Sequence, residues 1–497
     1  MHCALYDSIK YCIRIMILIF LILIPLLSGI LSFATKGDGA KVVALISTML
    51  TLVVSAYVSG ANYTAPLTFT QPWIPILGTQ FSLAADGMSS MLCLLTGIVT
   101  MVIMIVSVNK EVEKTAAFYG FLLLSQAGLM GVFLAYDALV FYVFWELALI
   151  PVYFLCSRWG GEKRIPATFK FFIYTFVGSL MMLAGLIYLS VQTPSLSSYA
   201  WHDIARAGAS LPPATQQWLF CLIFIAFAIK MPIFPFHTWQ PDTYEQSPTP
   251  VTIILSALMV KMGMYGVLRW LLPLLPAGVA YWSDTVVVLS VIGIVYASCI
   301  AMVQTDIKRL IAYSSIAHMG LMCAVAFSNS TVGTHGIMLQ MFNHGIIITG
   351  MWIIVSLIEN RWGTRDMTKL GGMASATPKM AIALVIISLG SIALPLTNGF
   401  VGEFMMFNGL FSGTESNHMT IMVIAGLGII LGAVYTLNMI QKVAYGNVAK
   451  MVVTKDLSIN EYLGLAIIIS LIIFLGVYPK PLLDLTSGIA GMITSGP

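Results

Sequence analysis

Apolar runs of about twenty residues, each long enough to cross a bilayer as a helix, follow one another along nearly the whole chain. About fourteen crossings are expected on that length criterion. They fall near 12–33, 42–60, 87–108, 116–134, 136–156, 168–191, 217–236, 249–272, 284–303, 310–328, 332–358, 379–404, 419–441 and 462–479. The fold class that follows is an all-α polytopic membrane protein. Only 9% of the 497 residues are charged, against roughly a quarter in ordinary soluble domains, too few to cover a surface facing water. No polar stretch is long enough for a soluble domain. The first run is read as a retained helix, since its apolar core is longer than a signal peptide's and no small-residue cleavage site is clear.

The net charge of +4 is too slight to imply nucleic acid. The placing of the positive residues says more, because cytoplasmic loops collect Lys and Arg. With the amino terminus outside, the inner loops hold Lys36, Lys41, Lys110, Lys114, Arg158, Lys163, Arg164, Lys170, Lys308, Arg309, Arg361, Arg365, Lys369, Lys379, Lys442, Lys450 and Lys455. The outer side holds only Lys10, Arg14, Arg206, Arg269 and Lys480. This split predicts both termini outside. The remaining two cations, Lys230 and Lys261, lie within spans. The seven cysteines (Cys3, Cys12, Cys93, Cys156, Cys221, Cys299 and Cys323) include no C-x-x-C pair, so an iron–sulfur cluster, which needs grouped thiolates, is not expected. No G-x-G-x-x-G or Walker sequence occurs, and nucleotide binding is not expected either.

Around residues 227–263 an apolar run reaches Lys230 and is then broken by Pro232 and Pro235. A polar loop follows from His237 to Pro248, then a second apolar run carrying Lys261. Proline removes a backbone donor and clashes with the preceding turn. Within a bilayer such a break survives only where protein or water covers the freed backbone. A charge at that depth costs at least ~2.5–3.5 kcal/mol unless it is paired or hydrated, which makes Lys230 a site candidate.

An internal repeat is visible in the same pattern. Glu146 and His318 are 172 positions apart, Lys230 and Glu403 173. The segment from Lys170 to Tyr174 faces that from Gln340 to His344 at an offset of 170. Both Lys230 and Glu403 adjoin helix breakers: Pro232 and Pro235 for one, Pro395, Gly399 and Gly402 for the other. The implied organisation is 1–115 with three helices, 116–272 and 284–441 with five each, and 442–497 with the last. An odd number of helices per copy inverts one copy against the other, and paired interrupted helices in inverted repeats point to a transport site.

Within these spans stand Glu146, Lys230, Lys261, His318, His344 and Glu403. Each has a plainer role open to it: a hydrogen-bonded structural carboxylate for Glu146 and Glu403, a snorkelling amine for the lysines, a satisfied core residue for each histidine. Together they read as proton-transfer groups. Burial favours the neutral amine of a lysine and a nearby carboxylate favours the ammonium, so Glu146 is expected to pair with Lys230 and tune it. Histidine titrates closest to neutral pH and suits a relay. His237, Asp242 and Glu245 in the inner loop either load protons or cap and solvate the loop. Arg269, Asp137, Asp306 and Glu359, near span ends, are expected to be interface anchors. No metal site is expected, since the two central histidines lie 26 residues apart without a third ligand.

The stretches FWELALIP, KMPIFPFHTWQPD, LMVKMGMYGVLR, TDIKRLIAYSSIAHMG and NGFVGEF resemble, in order and spacing, the antiporter-like subunits of respiratory NADH–quinone oxidoreductase (complex I). The resemblance covers roughly 85–450. Among the three such subunits it is to the M type, counterpart of mitochondrial chain 4, because Glu403 stands where the L and N types usually carry lysine. The inner loop departs from the M pattern, with Tyr244 in place of a histidine. The resemblance implies proton pumping with no redox centre on this chain: flavin, iron–sulfur clusters and quinone on partner subunits, L-like and N-like subunits as neighbours, and a bacterial cytoplasmic membrane as location. It assigns Glu146 and Lys230 to the pair coupled to remote quinone chemistry. Lys261, His318, His344 and Glu403 fall on a hydrated axis of internal water. The alternative is a subunit of a multisubunit cation/proton antiporter or of a membrane-bound hydrogenase.

Overall fold

The structure is a computed structural model of the chain. It describes all residues except 1, 61–65, 195–196, 413–417, 447–454 and 496–497, and the side chains of 2–15, 418 and 492–495 also lie outside the description. Lys10, Arg14, Lys450, Cys3 and Cys12 therefore lie outside the described side chains.

Among the described residues thirteen helices are long and apolar enough to cross a membrane. A helix satisfies its own backbone, which is why apolar runs in hydrocarbon take this form. The remaining expected crossing, near 379–404, is the second broken one, made of two short helices, Pro378–Ser391 and Asn398–Phe411. Between them Ala393 and Leu396 adopt positive φ (54° and 75°), and Pro395 cannot donate to a helix. The other break falls where Pro232 and Pro235 predict it. The helix Pro213–Lys230 stops at the lysine, and a short helix, Trp239–Gln246, resumes after a segment with a cis Phe234–Pro235 bond.

A polar side chain bonds to the backbone at each break. Trp239 Nε1 donates to the Ile229 carbonyl (2.9 Å). Asn343 Nδ2 donates to the Asn398 carbonyl (2.7 Å), and Asn398 Nδ2 donates back to Asn343 Oδ1 (3.2 Å).

Two spans form the centre. Thr249–Leu271, which contains π-helical stretches at Ile254–Met259 and Val267–Leu271, and Thr331–Trp362 are buried along their whole apolar windows. Met419–Tyr445 and Ile459–Val477 are the least buried of the spans. Glycines allow the central elements to approach closely, as in membrane bundles generally. A Cβ on Gly336 would stand 2.7 Å from the Met406 amide nitrogen, and one on Gly263 2.8 Å from the Met231 nitrogen.

The all-α expectation misses one feature, an antiparallel hairpin of Leu67–Ile74 with Thr79–Ala85, turned at Gly78 (φ 66°). Alternating residues such as Thr68, Phe69 and Thr70 favour a strand there. Asp137 ties this hairpin to the bundle: it caps its helix by accepting from Leu139 N (2.9 Å) and Val140 N (3.2 Å), and also accepts from Gln80 N (3.1 Å). At the same end the partly buried Arg269 is an ion-pair partner of the buried Asp86. At the opposite end Lys110, Lys170, Lys308, Arg309, Arg361 and Arg365 engage Ser356, Asp242, Glu245, Glu359 and Glu461.

Replacing Gly336 by valine forces the Thr331–Trp362 helix off Asn398–Phe411. Overpacking of this kind costs ~1–3 kcal/mol, so G336V should melt several degrees lower when unfolding is followed by tryptophan fluorescence in detergent. An unchanged melting point would show that the two helices do not touch there.

Candidate functional site

The site grows from the central helix Thr249–Leu271. Lys261 is 0% exposed, and a buried ammonium needs hydrogen-bond acceptors to replace water. It finds two. Its Nζ donates to the Ser256 carbonyl (3.0 Å) and lies 2.7 Å from His344 Nδ1. Ser256 falls within the π-helical stretch Ile254–Met259, a distortion that recurs at functional sites.

His344, on the other fully buried helix, has Nε2 3.3 Å from Ser315 Oγ. Its ring meets that of His318 edge-on with centroids 5.6 Å apart. His318 Nδ1 in turn lies 3.2 Å from Glu403 Oε1, which also accepts from Gln340 Nε2 (3.4 Å). Lys261, His344, His318 and Glu403 thus form one row of contacts, drawn from four different helices. A shared proton can sit on either side of the lysine–histidine contact, because ammonium with imidazole and amine with imidazolium both fill it. Beside the carboxylate end a cavity of about 30 Å³, with His318, Glu403, Tyr435 and Gly428 among its walls, is large enough for water.

Lys230 and Glu146 stand apart from that row. Lys230 is 2% exposed and its Nζ has no hydrogen-bond partner. The rings of Trp145 (5.4 Å) and Phe171 (6.0 Å) lie beneath it, a cation–π arrangement. The expected direct ion pair with Glu146 is absent: no contact within 4 Å joins them, and Glu146 Oε1 is likewise without a partner. The two act on each other through space, with Ser179 and Tyr142 as the other polar neighbours of the carboxylate. No side-chain hydrogen bond bridges Lys230 to Lys261 among the described residues, although Gly263 brings their helices together. Gln240 and Tyr244, buried on the short helix after the break, also have side-chain polar atoms without partners.

The inner loop differs from an open proton-loading patch. Asp242 pairs with Lys170 (2.8 Å) and Arg309 (3.2 Å). Glu245 pairs with Arg309 (2.9 Å) and Arg365 (2.5 Å). Arg365 also holds Asp306 (2.5 Å), and Lys308 holds Glu359 (2.6 Å), so two of the three carboxylates expected to be interface anchors belong to this network. His237 is 3% exposed, stacked on Phe234 and met edge-on by Tyr296. Burial, then the nearby Lys170 charge, holds its imidazole below the ordinary histidine range. At neutral pH it is therefore a neutral ring.

Sequence reasoning missed Ser256, Ser315, Gln340, Trp145 and Asp86 as partners. Gln340 alone carried a signal, as the repeat counterpart of Lys170. Among the described residues no group of three or more His, Cys, Asp or Glu is arranged to hold a metal ion.

Residues 135–432 match the family described as NADH:quinone oxidoreductase/Mrp antiporter, transmembrane. The chain is 37% identical to "NADH-quinone oxidoreductase subunit M" of Rickettsia typhi over 483 residues, covering 95% of this chain and 96% of that one. To the Escherichia coli K12 protein of the same name it is 34% identical, covering 96% and 97%. Its fold is similar to a chain in the respiratory complex I of Thermus thermophilus with bound NADH, with a TM-score of 0.89, 26% identity and coverage of 96% and 99%. A chain of the Mrp complex from Dietzia sp. has the same fold at a TM-score of 0.84, 21% identity, and coverage of 97% of this chain and 52% of that one. The chain belongs to the NADH:quinone oxidoreductase/Mrp antiporter family, within the M subunits of NADH-quinone oxidoreductase.

Proposed function

We propose that this chain is a proton-translocating subunit of the membrane arm of NADH–quinone oxidoreductase, moving protons along Glu146, Lys230, Lys261, His344, His318 and Glu403. The observation that carries this reading is the buried row from Lys261 to Glu403, in which every step is a contact between titratable side chains. Titratable groups hidden at membrane depth are costly and mark ion pathways.

In this reading the driving signal is electrostatic. A charge change in the neighbouring subunit moves or neutralises Glu146, and the ammonium of Lys230 loses the carboxylate that favours it. At an effective dielectric of ~20, two unit charges ~10 Å apart interact by ~1.7 kcal/mol, more than tenfold in a proton equilibrium. The released proton crosses to Lys261 over bound water, passes to His344 and His318, and leaves by Glu403. Gln240 and Tyr244, with unfilled hydrogen-bonding capacity beside the Lys230 break, are suited to hold such water.

The chain's own residues hold and move protons and do no redox chemistry. Flavin, iron–sulfur clusters and quinone belong to partner subunits, with L-like and N-like chains alongside. The segments 116–272 and 284–441 act as inverted repeats, each with one broken helix, in a bacterial cytoplasmic membrane with both termini outside. The excess of cations at the end of the bundle holding Arg309 and Arg365 supports that orientation.

In inverted membrane vesicles, Lys230→Ala should cut NADH-driven acidification attributable to this chain by at least about tenfold, the scale of a lost proton-transfer group. Pumping at the wild-type ratio of protons to NADH would remove Lys230 from the path.

The Lys261–His344 contact is tested separately by a double-mutant cycle of Lys261→Met and His344→Leu. Melting of the four proteins should give a coupling of at least ~0.5 kcal/mol, as for residues in one hydrogen-bonded network. Strict additivity would mean that the two side chains do not meet.

A further inference from the structure

The helix Pro276–Val303 carries one acidic residue in an otherwise apolar run, Asp284, and nothing in the proton row uses it. Among the described residues no cation stands within ion-pair distance of this exposed carboxylate. At 28 residues the helix is ~42 Å long, against ~30 Å of hydrocarbon. The neighbouring Tyr281 and Trp282 suit the aromatic belt where a helix leaves the acyl layer. Asp284 is then about 4.5 Å below Tyr281 along the axis, at the boundary between headgroups and acyl chains.

From Asp284 a groove of about 760 Å³ runs between this helix and Met419–Tyr445, walled by Val288, Ile292, Val295, Ile421 and Ile424. Met419–Tyr445 is among the least buried spans, so the groove lies at the lipid-facing rim of the bundle. It reaches Tyr296, twelve residues and ~18 Å further along the helix. The Tyr296 ring packs on His237 (5.3 Å) and Phe234 (5.4 Å), so its far end abuts the segment that breaks the Lys230 helix.

We propose that this groove holds one acyl chain of a phospholipid whose primary-amine headgroup, as in phosphatidylethanolamine, pairs with Asp284. The apolar walls suit a hydrocarbon chain and offer no cation to an anionic headgroup. A carboxylate near hydrocarbon is costly without a partner, and an ammonium at headgroup depth supplies one. The lipid would brace the broken segment from outside through Tyr296.

The test uses the tagged chain purified from its own membranes in mild detergent with whatever it assembles with, then exposed to phosphatidylethanolamine bearing a photoactivatable acyl chain. Labelling is expected at 288–296 and 420–424, competed by unlabelled phosphatidylethanolamine but not by phosphatidylglycerol. It should fall at least about tenfold in Asp284→Asn, the scale of one hydrogen bond to a charged group, and vanish in Val288→Trp, which fills the groove. Absence of label from both segments in the wild type would overturn the proposal. So would equal competition by the two lipids, or full labelling of either variant. A carbodiimide cross-link from Asp284 to a lysine of another subunit would overturn it in favour of a protein occupant.

Discussion

A lysine amino group shut away from bulk solvent dominates this architecture. Lys261 sits on a helix buried along its whole apolar length, where an unpaired charge is intolerable and a paired one is held only by good geometry. The contact requires His344 on Thr331–Trp362, among the described residues the one other span buried as completely. Those two helices must therefore lie side by side, and the rest of the bundle packs around them. The π-helical stretch that carries the Ser256 carbonyl to the ammonium belongs to the same requirement. Gly336 belongs to it less directly, since it lets the second break, and hence Glu403, close on the histidine helix.

The two broken helices end differently, and the difference gives the row a direction. At one break Lys230 rests over aromatic rings with no acceptor for its protons. At the other, Glu403 holds a histidine nitrogen and an amide beside a cavity able to admit water. A proton on Lys230 has no bonded neighbour to leave to, so its release depends on the field of Glu146 and on intervening water. A proton reaching Glu403 in the proposed path is already next to a space that water can fill. In the proposed proton path, control belongs at the Lys230 end and delivery at the Glu403 end.

Most of the fold was legible because span length and hydropathy report the same physics that the bilayer imposes. The prolines announced both interruptions, although 379–404 was counted as one crossing because its total apolar length suffices. The hairpin at 67–85 was missed because its alternation is short and lies between stronger helical signals. The six titratable groups within the spans were visible as isolated polar letters in apolar runs. Their pairing was not: Lys261 and His344 are 83 residues apart, and no local period links them. The repeat offset put Glu146 opposite His318 and Lys230 opposite Glu403, and the expected Glu146–Lys230 pair rested on charge alone; only coordinates separate a bonded pair from two charges acting at a distance. Asp242 and Glu245 looked available because a loop reads as solvent-facing, whereas their partners Arg309 and Arg365 come from far along the chain.

Those loop carboxylates tie the broken segment to both sides of the molecule. The short helix Trp239–Gln246 begins eight residues after the Pro213–Lys230 helix ends, and its Trp239 indole holds the last turn of that helix through the Ile229 carbonyl. Asp242 reaches back to Lys170 in the 116–272 segment, while Arg309 and Arg365 hold Asp242 and Glu245 from the 284–441 segment. Partly exposed ion pairs contribute little singly, roughly 0–1 kcal/mol each, so this network is weak as glue. Its consequence is mechanical. Any shift of one segment against the other moves the short helix, and through Trp239 it moves the carbonyl one residue before Lys230. The charge at the break is thereby tied to the relative position of the two segments, while Glu146 acts on it from a third helix. A proton carrier governed by both a field and a strut can respond to events in a neighbouring subunit without touching it.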